Sequence, residues 1–161
     1  FCNYARKLGA TNARVISLET VVTASWVRLK CQYGCDGYGE CLTCPPYSPT
    51  PEKTREVLNH YKKAILIHGD ENVDINVIVS KLERKIFLSG YYKAYGMGAG
   101  PCDLCSRCNV NKPCRNPYEA RPSMEASGID VFKTARNNGF KIEVLENSRC
   151  KGNYFGLVLV T

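Results

Sequence analysis

Two short cysteine-rich stretches constrain this chain more than any other feature of its sequence. Four cysteines in residues 31–46 have the spacing C-x3-C-x5-C-x2-C, and four in residues 100–117 have the spacing C-x2-C-x2-C-x5-C. Three cysteines at two-residue spacing allow one loop to wrap a metal centre, with thiolates turned inward and N–H groups directed at the sulfurs. We therefore predict two metal-binding loops, with the ligands Cys31, Cys35, Cys41, Cys44, Cys102, Cys105, Cys108 and Cys114.

The spacing of the second loop favours an iron–sulfur cluster over zinc. In bacterial ferredoxins the fourth cysteine comes three residues after the third and is followed by proline. Here the gap between Cys108 and Cys114 is five residues, and Pro117 comes three positions later. Four cysteines also suffice for structural zinc, although zinc sites usually present two separated pairs. We expect two [4Fe–4S] clusters, with zinc as the alternative and thiol chemistry or disulfides as weaker ones.

The ligands of the first loop are less well defined. Gly34, Gly37 and Gly39 allow the backbone to approach a cluster closely. Only three of the four cysteines need bind the first cluster, and a ligand could cross over from the other loop, as in two-cluster ferredoxins. Both loops end in cysteine, then proline, then a predicted helix start, whose partial positive charge suits an anionic cluster.

Composition narrows the class of protein and its compartment. A chain of 161 residues with 44% hydrophobic residues is expected to form one domain, residues 1–161, with a core of its own. Ten cysteines could indicate a secreted disulfide framework, but C-x2-C spacing suits metal binding better, so we expect a reducing cytoplasm. Because the sequence starts at Phe1 rather than methionine, we expect a trimmed or disordered N-terminus, and we do not exclude that a targeting peptide has been removed.

Two kinds of partner are disfavoured by the same composition. No apolar run approaches the length of a membrane helix, so we expect no membrane insertion. The formal net charge is +7, but lysine and arginine are scattered along the chain rather than clustered, so we expect no nucleic-acid binding.

Hydrophobic periodicity outlines the fold. Helical spacing predicts helices over residues 3–9, 51–62, about 75–89 and 128–138, the second capped by Thr50 and the third by Asp74. Short apolar runs predict strands over residues 13–18, 64–68, 141–145 and 155–160. A further apolar stretch, Val21 to Leu29, leads into Cys31. We predict an α/β or α+β sandwich, a mixed sheet with flanking helices onto which the two cysteine loops are inserted.

Several other residues have both a functional and a structural interpretation. Arg121, Ser123 and Glu125 could contact a bound anion or transfer protons, but we favour a role in bracing the cluster loop and capping the next helix. The isolated cysteines and histidines are expected to be structural, and a tyrosine group is expected to form core that shields a cluster. These residues are Cys2, Cys150, His60, His68, Tyr91, Tyr92 and Tyr95.

Four strings over nearly the whole chain resemble one family. KCQYGCDGYGECLTCPPYSPTPE, GYYKAYGMGAGPCDLCSRC, CRNPYEARPSMEASGIDVFKTA and YFGLVLV are similar to the predicted metal-binding proteins called domain of unknown function 2284. The resemblance implies that Cys31, Cys35 and Cys44 match one cysteine group and Cys102, Cys105, Cys108 and Cys114 the other. It also implies that Cys41 is an addition and that Ser127 stands where many members carry a cysteine. The first cluster would then recruit Cys41 or keep an unusual or open ligand.

Three functions follow as hypotheses. The first is an iron–sulfur protein with two [4Fe–4S] clusters that transfers single electrons to or from a partner protein. The second is a zinc-stabilised structural or interaction module without redox chemistry. The third is an enzyme in which one cluster keeps an open iron site for a substrate, with Arg121, Glu125 and Ser127 as candidate binding residues. An anaerobic or low-oxygen setting suits the first and third, because exposed clusters are sensitive to oxygen.

Overall fold

A computed structural model describes residues 1–147 and 150–161 of the chain. The described strands are β1 (Asn12–Ser17), β2 (Lys63–Gly69), β3 (Tyr95–Met97) and β4 (Tyr154–Leu159). The described helices are α1 (Cys2–Lys7), α2 (Trp26–Gly34), α3 (Pro51–Leu58), α4 (Ile75–Phe87) and α5 (Val131–Asn137), with a short 3-10 helix at Leu18–Thr20. None of these helices is long and apolar enough to cross a membrane.

The strands form one antiparallel sheet in the order β1-β2-β4-β3. Ile65 of β2 is paired with Val158 of β4, and Gly96 of β3 is paired with the same Val158 from the other side. Both central strands, β2 and β4, are buried along almost their whole length. They are buried because helices cover both faces of the sheet, so their sequences are apolar runs rather than alternating ones.

Alternate residues of the central strands enter two separate cores. Ile65 and Ile67 pack with α1 and α4 on one face, whereas Leu66 faces α3 and α5 on the other. The chain is therefore a three-layered sandwich of helices, sheet and helices. This confirms the predicted sandwich in its α+β form. The strands of the sheet are antiparallel, and among the described residues the parallel pairing is an isolated bridge between Gly98 and Ser123.

Side-chain caps fix where three helices begin. The hydroxyl of Thr50 accepts a hydrogen bond from the N–H of Lys53, and the carboxylate of Asp74 accepts one from the N–H of Val77. Both caps were predicted from the sequence. Asp130 caps α5 in the same way. As a result α5 starts at Val131, three residues later than predicted, and α3 ends at Leu58 because the chain must turn before β2.

The apolar stretch from Val21 to Leu29 ends in helix α2, which contains Cys31. Two expectations from the sequence are wrong. Residues 141–145 form no strand, since Arg136 donates two hydrogen bonds to the carbonyl of Ile142, and Val144 is 74% exposed. The three tyrosines expected in the core are exposed: Tyr91 by 40%, Tyr92 by 78% and Tyr95 by 38%.

An irregular segment, residues 122–130, crosses the core beneath the cysteine loops. Its backbone is held at one end by hydrogen bonds between Gly98 and residues 122 and 124. At the other end, Ala24 donates to the carbonyl of Gly128, and Asp130 donates to that of Val22. These bonds satisfy polar backbone groups that would otherwise be costly to bury, so a stretch without regular secondary structure can lie inside the protein.

Gly128 is the tightest point of this segment. Its φ is +77°, and a Cβ placed there would lie 2.4 Å from Cγ and 2.8 Å from Cα of Pro51, at the start of α3. Gly39 has the same φ of +77°, but a Cβ there would have no neighbour within 4 Å. Comparing alanine substitutions at Gly39 and Gly128 therefore separates the cost of the backbone conformation from the cost of steric overlap.

We expect Gly39→Ala to cost about 1 to 2 kcal/mol of stability, the ordinary cost of a left-handed alanine. Gly128→Ala should cost roughly 1 to 3 kcal/mol more, because overlap with Pro51 forces the backbone to shift. Urea denaturation of both metal-free variants measures the difference. Equal losses would contradict the packing of residues 122–130 against α3.

Candidate metal centre

Helix α2 positions two of the cysteines of the first loop. Cys31 lies in its last turn and Cys35 follows directly after its end, so the two are four residues apart and on the same side of the helix. Arg28, also in α2, donates a hydrogen bond to the carbonyl of Ser48 at 3.1 Å. That contact fixes the helix to the chain leaving the loop.

Gly37 lies between two thiols of the first loop. A Cβ placed on Gly37 would lie 3.5 Å from Sγ of Cys44, 3.6 Å from Sγ of Cys35 and 3.4 Å from Cβ of Pro101. The N–H of Gly37 also donates to Sγ of Cys35 at 3.4 Å. The missing side chain therefore leaves space beside the sulfurs. We call Cys31, Cys35 and Cys44 the first thiol group.

The first thiol group lines a large apolar cavity of about 1140 Å³. Glu125 lines the same cavity. Its apolar wall consists of Trp26, Val27, Ile129, Val131, Phe132, Ile142, Val144 and Leu145. This volume is slightly larger than the roughly 300 to 1,000 Å³ of typical small-molecule sites. Three thiols and Glu125 thus line an apolar space, which the sequence did not indicate because its apolar wall comes from three separate segments.

The other cysteines, Cys102, Cys105, Cys108 and Cys114, form the second thiol group and line a cavity of about 850 Å³. Asn116 supports two of them: its N–H donates to Sγ of Cys114 at 3.4 Å, and its side-chain amide donates to Sγ of Cys105 at 3.2 Å. Hydrogen bonds to sulfur favour the thiolate form that binds metal. Sequence reasoning missed Asn116, although an amide two residues after a ligand cysteine was a usable signal.

Cys41 lies between the two groups and closer to the second. Its Sγ is 3.7 Å from the carbonyl oxygen of Cys102. Burial raises the pKa of the Cys41 thiol, the neighbouring Cys108 and Cys102 raise it further, and a hydrogen bond with Cys44 lowers it. Cys41 therefore contacts both thiol groups, although it belongs to the first loop in sequence.

Burial also raises the pKa of other thiols in both groups. It raises the pKa of Cys44 to about 11, and it raises that of Cys31 and of Cys102 above the ordinary value. Nearby cysteines add to each shift, because deprotonating one disfavours the next. A bound cation would reverse this effect, since it stabilises the thiolates and displaces their protons.

Of the three candidate binding residues, Glu125 alone lines the first cavity. Its Oε2 is buried without a hydrogen-bond partner, and burial raises the pKa of its carboxyl group. Ser127 is fully buried, and its hydroxyl oxygen also lacks a partner, but Ser127 is not part of the cavity wall. Ser123 lines the cavity beside Glu125.

Arg121 lies away from both cavities. Its guanidinium forms a two-pronged salt bridge with Glu83 of α4, with both N–O distances 2.6 Å, and it also donates to the carbonyls of Pro117 and Ala120. The two side chains are only 16% and 13% exposed. Arg121 thus links α4 to the end of the second loop, which agrees with the expected bracing role. After that loop, where the sequence predicts a helix start or a short helical turn, residues 117–119 form a turn.

The isolated cysteines and histidines lie outside both thiol groups. Cys2 is the first residue of α1 and packs against the core, and Cys150 is exposed. His68 bonds to Asn153 and stacks on Phe155, as a structural histidine would. All ten cysteines lie within the described residues, and all are free thiols.

The donor set fits a sulfur-rich metal centre. Seven thiols line two cavities, Gly37 leaves room beside two of them, and Glu125, whose Oε2 is buried without a partner, lines the first cavity. Within residues 1–147 and 150–161, no three cysteine, histidine or acidic side chains converge closely enough to hold a single ion. A cubane cluster, which bonds a cysteine at each of several corners, holds its ligands farther apart than one ion does.

Fold and thiol groups together define a cysteine-rich α+β metal-binding protein. The model of one family, described as predicted metal-binding protein (DUF2284), matches residues 14–160, and the chain belongs to that family. Searches of the curated proteins and of the solved structures found no match.

We expect the stability of the metal-free protein to depend on Cys44 at high pH. Because burial raises the pKa of this thiol from 9.0 to about 11, the folded protein binds its proton more tightly than the unfolded chain does. The resulting stabilisation is complete below about pH 9 and is lost as the pH rises through about 11. Two pKa units correspond to roughly 2 to 3 kcal/mol. Denaturation of the wild type and of Cys44→Ala under reductant should show their stability difference shrinking by that amount, and a constant difference would contradict it.

Arg121→Met should destabilise the fold by about 3 kcal/mol, because it leaves the Glu83 carboxylate unpaired in a poorly solvated site. The double variant Arg121→Met/Glu83→Gln should recover part of that loss, since the unpaired charge is gone. Denaturation measures stability, and metal analysis of the same samples measures loading. Lost metal with unchanged stability would show that Arg121 acts on the centre instead of bracing the fold.

Proposed function

We propose that this protein binds two [4Fe–4S] clusters, one at each thiol group, and transfers single electrons to or from a partner protein. The observation that carries the proposal is the pairing of two thiol-lined cavities that share a boundary. Cys41 and Cys44 are separated by two residues and lie toward different groups, and Pro101 lies beside the first group directly before Cys102 of the second. Two neighbouring centres in one small protein suit electron transfer.

The residues of each group have distinct roles in this proposal. Cys31, Cys35 and Cys44 would hold the first cluster, and the second thiol group would hold the other. The clusters would supply one-electron chemistry. The chain's own contribution is to tune it: the N–H groups of Gly37 and Asn116 donate to sulfurs, which stabilises negative charge there. In the first cavity, Cys44 is buried beside the apolar wall, whereas Cys35 is exposed.

The second loop offers a surface for a redox partner. Leu104 is 41% exposed beside the second thiol group, and three cations line the same cavity: Arg107, Lys112 and Arg115. Opposite charges steer weak, transient complexes of this kind. We therefore propose an acidic partner protein that docks at this loop. Ten free thiols suit a reducing compartment, and we propose the cytoplasm.

A second candidate function is an enzyme that binds a substrate at the first centre. The cavity of about 1140 Å³ favours it, since an electron carrier needs no space of that size beside a cluster. Its wall is mainly apolar, so the substrate would carry an apolar group. A zinc-stabilised interaction module is the remaining alternative, because four thiolates per site also suit that ion.

The test is anaerobic reconstitution followed by metal and sulfide analysis and paramagnetic resonance of the reduced protein. We expect about eight iron and about eight sulfide per chain in the wild type. Cys35→Ala and Cys105→Ala should each lose about half of the iron, because each removes a ligand from a different centre. Cys150→Ala is the matched control and should keep all of it, since this cysteine is exposed and outside both thiol groups.

Two results would overturn the proposal. Zinc in the wild type, with neither iron nor sulfide after anaerobic work, would favour the interaction module. Equal iron loss in all three variants would show that the two thiol groups do not mark separate centres. Iron–sulfur spectra that change when small apolar compounds are added would instead favour the enzyme.

A further inference from the structure

We propose that the carboxylate of Glu125 is the fourth protein ligand of the first centre, which completes a set of three thiolates and one oxygen. The inference rests on the proposed function, in which the first thiol group holds a metal cluster. It adds a residue and a donor type that the cysteine pattern does not contain.

Three thiols line the cavity of the first centre, those of Cys31, Cys35 and Cys44. Cys41 contacts Cys44, but it is not part of the cavity wall, and its Sγ lies 3.7 Å from the carbonyl oxygen of Cys102 in the second thiol group. Cys2 lies elsewhere, in α1, and Cys150 is exposed. The cavity wall therefore supplies no fourth thiol, and the fourth corner of a cubane there would be bound by another kind of donor or left to a small molecule.

Glu125 is placed to fill that position. It lines the same cavity as the three thiols, and its backbone carbonyl lies 4.0 Å from Sγ of Cys31. Its Oε2 is buried and has no hydrogen-bond partner among the described residues. A buried carboxylate oxygen without a partner is costly, and a bound cation is one of the few groups that removes the cost.

Ser127 is the competing residue, and the structure does not bring it to the cavity. Its hydroxyl is buried, but its backbone N–H bonds to the carbonyls of Ser123 and Met124 in a tight turn. The turn places Glu125 on the cavity wall and leaves Ser127 off it. Serine is also a weaker donor than carboxylate, because its hydroxyl must lose a proton of much higher pKa.

A carboxylate ligand would make one iron of the first cluster unlike the others. Oxygen donors are harder than thiolates and bind soft metal sites less firmly. The distinct iron would face the apolar cavity, where an incoming small molecule could displace the carboxylate. The second thiol group, with four cysteines of its own, would have no such position.

The test compares Glu125→Gln, Glu125→Cys and Ser127→Ala with the wild type after identical anaerobic reconstitution. We expect Glu125→Gln to lose about one of about eight irons and to show a three-iron signal when oxidised. Glu125→Cys should keep all the iron, because a thiolate replaces the oxygen donor, but its reduced spectrum should change. Ser127→Ala should match the wild type in iron content and in spectrum.

The outcomes separate this inference from the proposed function. If the wild type holds iron–sulfur clusters, and both Glu125 variants have the same iron content and spectra as the wild type, the ligand assignment is overturned and the proposed function is not. Iron loss in Ser127→Ala but not in Glu125→Gln would assign the position to the serine instead. If the wild type takes up only zinc, the proposed function fails. Zinc stoichiometry and the absorption of the cobalt-substituted protein then test whether Glu125 is a ligand. Loss of about one metal per chain in Glu125→Gln supports the ligand assignment, and no loss overturns it.

Where a variant folds poorly, circular dichroism of the metal-free protein identifies it. Glu125→Cys then decides the question, because a thiol is small and tolerates burial. Its full iron content with an altered spectrum supports a ligand at position 125. A spectrum identical to that of the wild type would overturn it.

Discussion

The position of both thiol groups depends on the backbone hydrogen bonds that hold residues 122–130 inside the protein. Gly98 bonds to this segment where β3 ends, and residues 22 and 24 bond to it just before α2 begins. These two attachment points lead directly into the second and first cysteine loops. A segment without regular secondary structure can act in this way only because nearly all of its buried backbone groups find partners. Gly128 packed on Pro51 then ties the same segment to α3.

The two thiol groups differ in every respect that matters for chemistry. The first has three thiols, an acidic neighbour and an apolar cavity, and it lies between α2 and the core. The second has four thiols, an asparagine that donates to two of them, and a cationic rim in an exposed loop. This asymmetry favours the proposed division of roles, in which the second group exchanges electrons with a partner and the first is the one that a small molecule can reach.

Local signals in the sequence predicted the parts of the fold that local physics decides. Thr50 and Asp74 cap their helices as expected, and the apolar runs of β2 and β4 become the centre of the sheet. The segment at 141–145 has the same apolar character, but the carbonyl of Ile142 is taken by Arg136, so it never joins the sheet. That competition comes from α5 and is invisible in the segment itself.

The spacing of the cysteines predicted two loops, but not how their thiols are divided. Cys41 is a member of the first loop in sequence and a neighbour of Cys102 in space. The division depends on the turn around Gly37 and on the approach of Pro101, a contact between residues more than sixty positions apart. Glu125 was a candidate from its local sequence, yet only its position on the wall of the first cavity distinguishes it from Arg121 and Ser127.

The order of strands in the sheet has a consequence for the newly made chain. β4 is synthesised after β1, β2, β3 and both cysteine loops, yet it lies between β2 and β3 and pairs with both. Neither core can close fully before Leu159 has left the ribosome. Until then the cysteines of both loops belong to a partly folded polypeptide. The order of synthesis therefore exposes the thiols to oxidation for longer than an order in which the central strands came first.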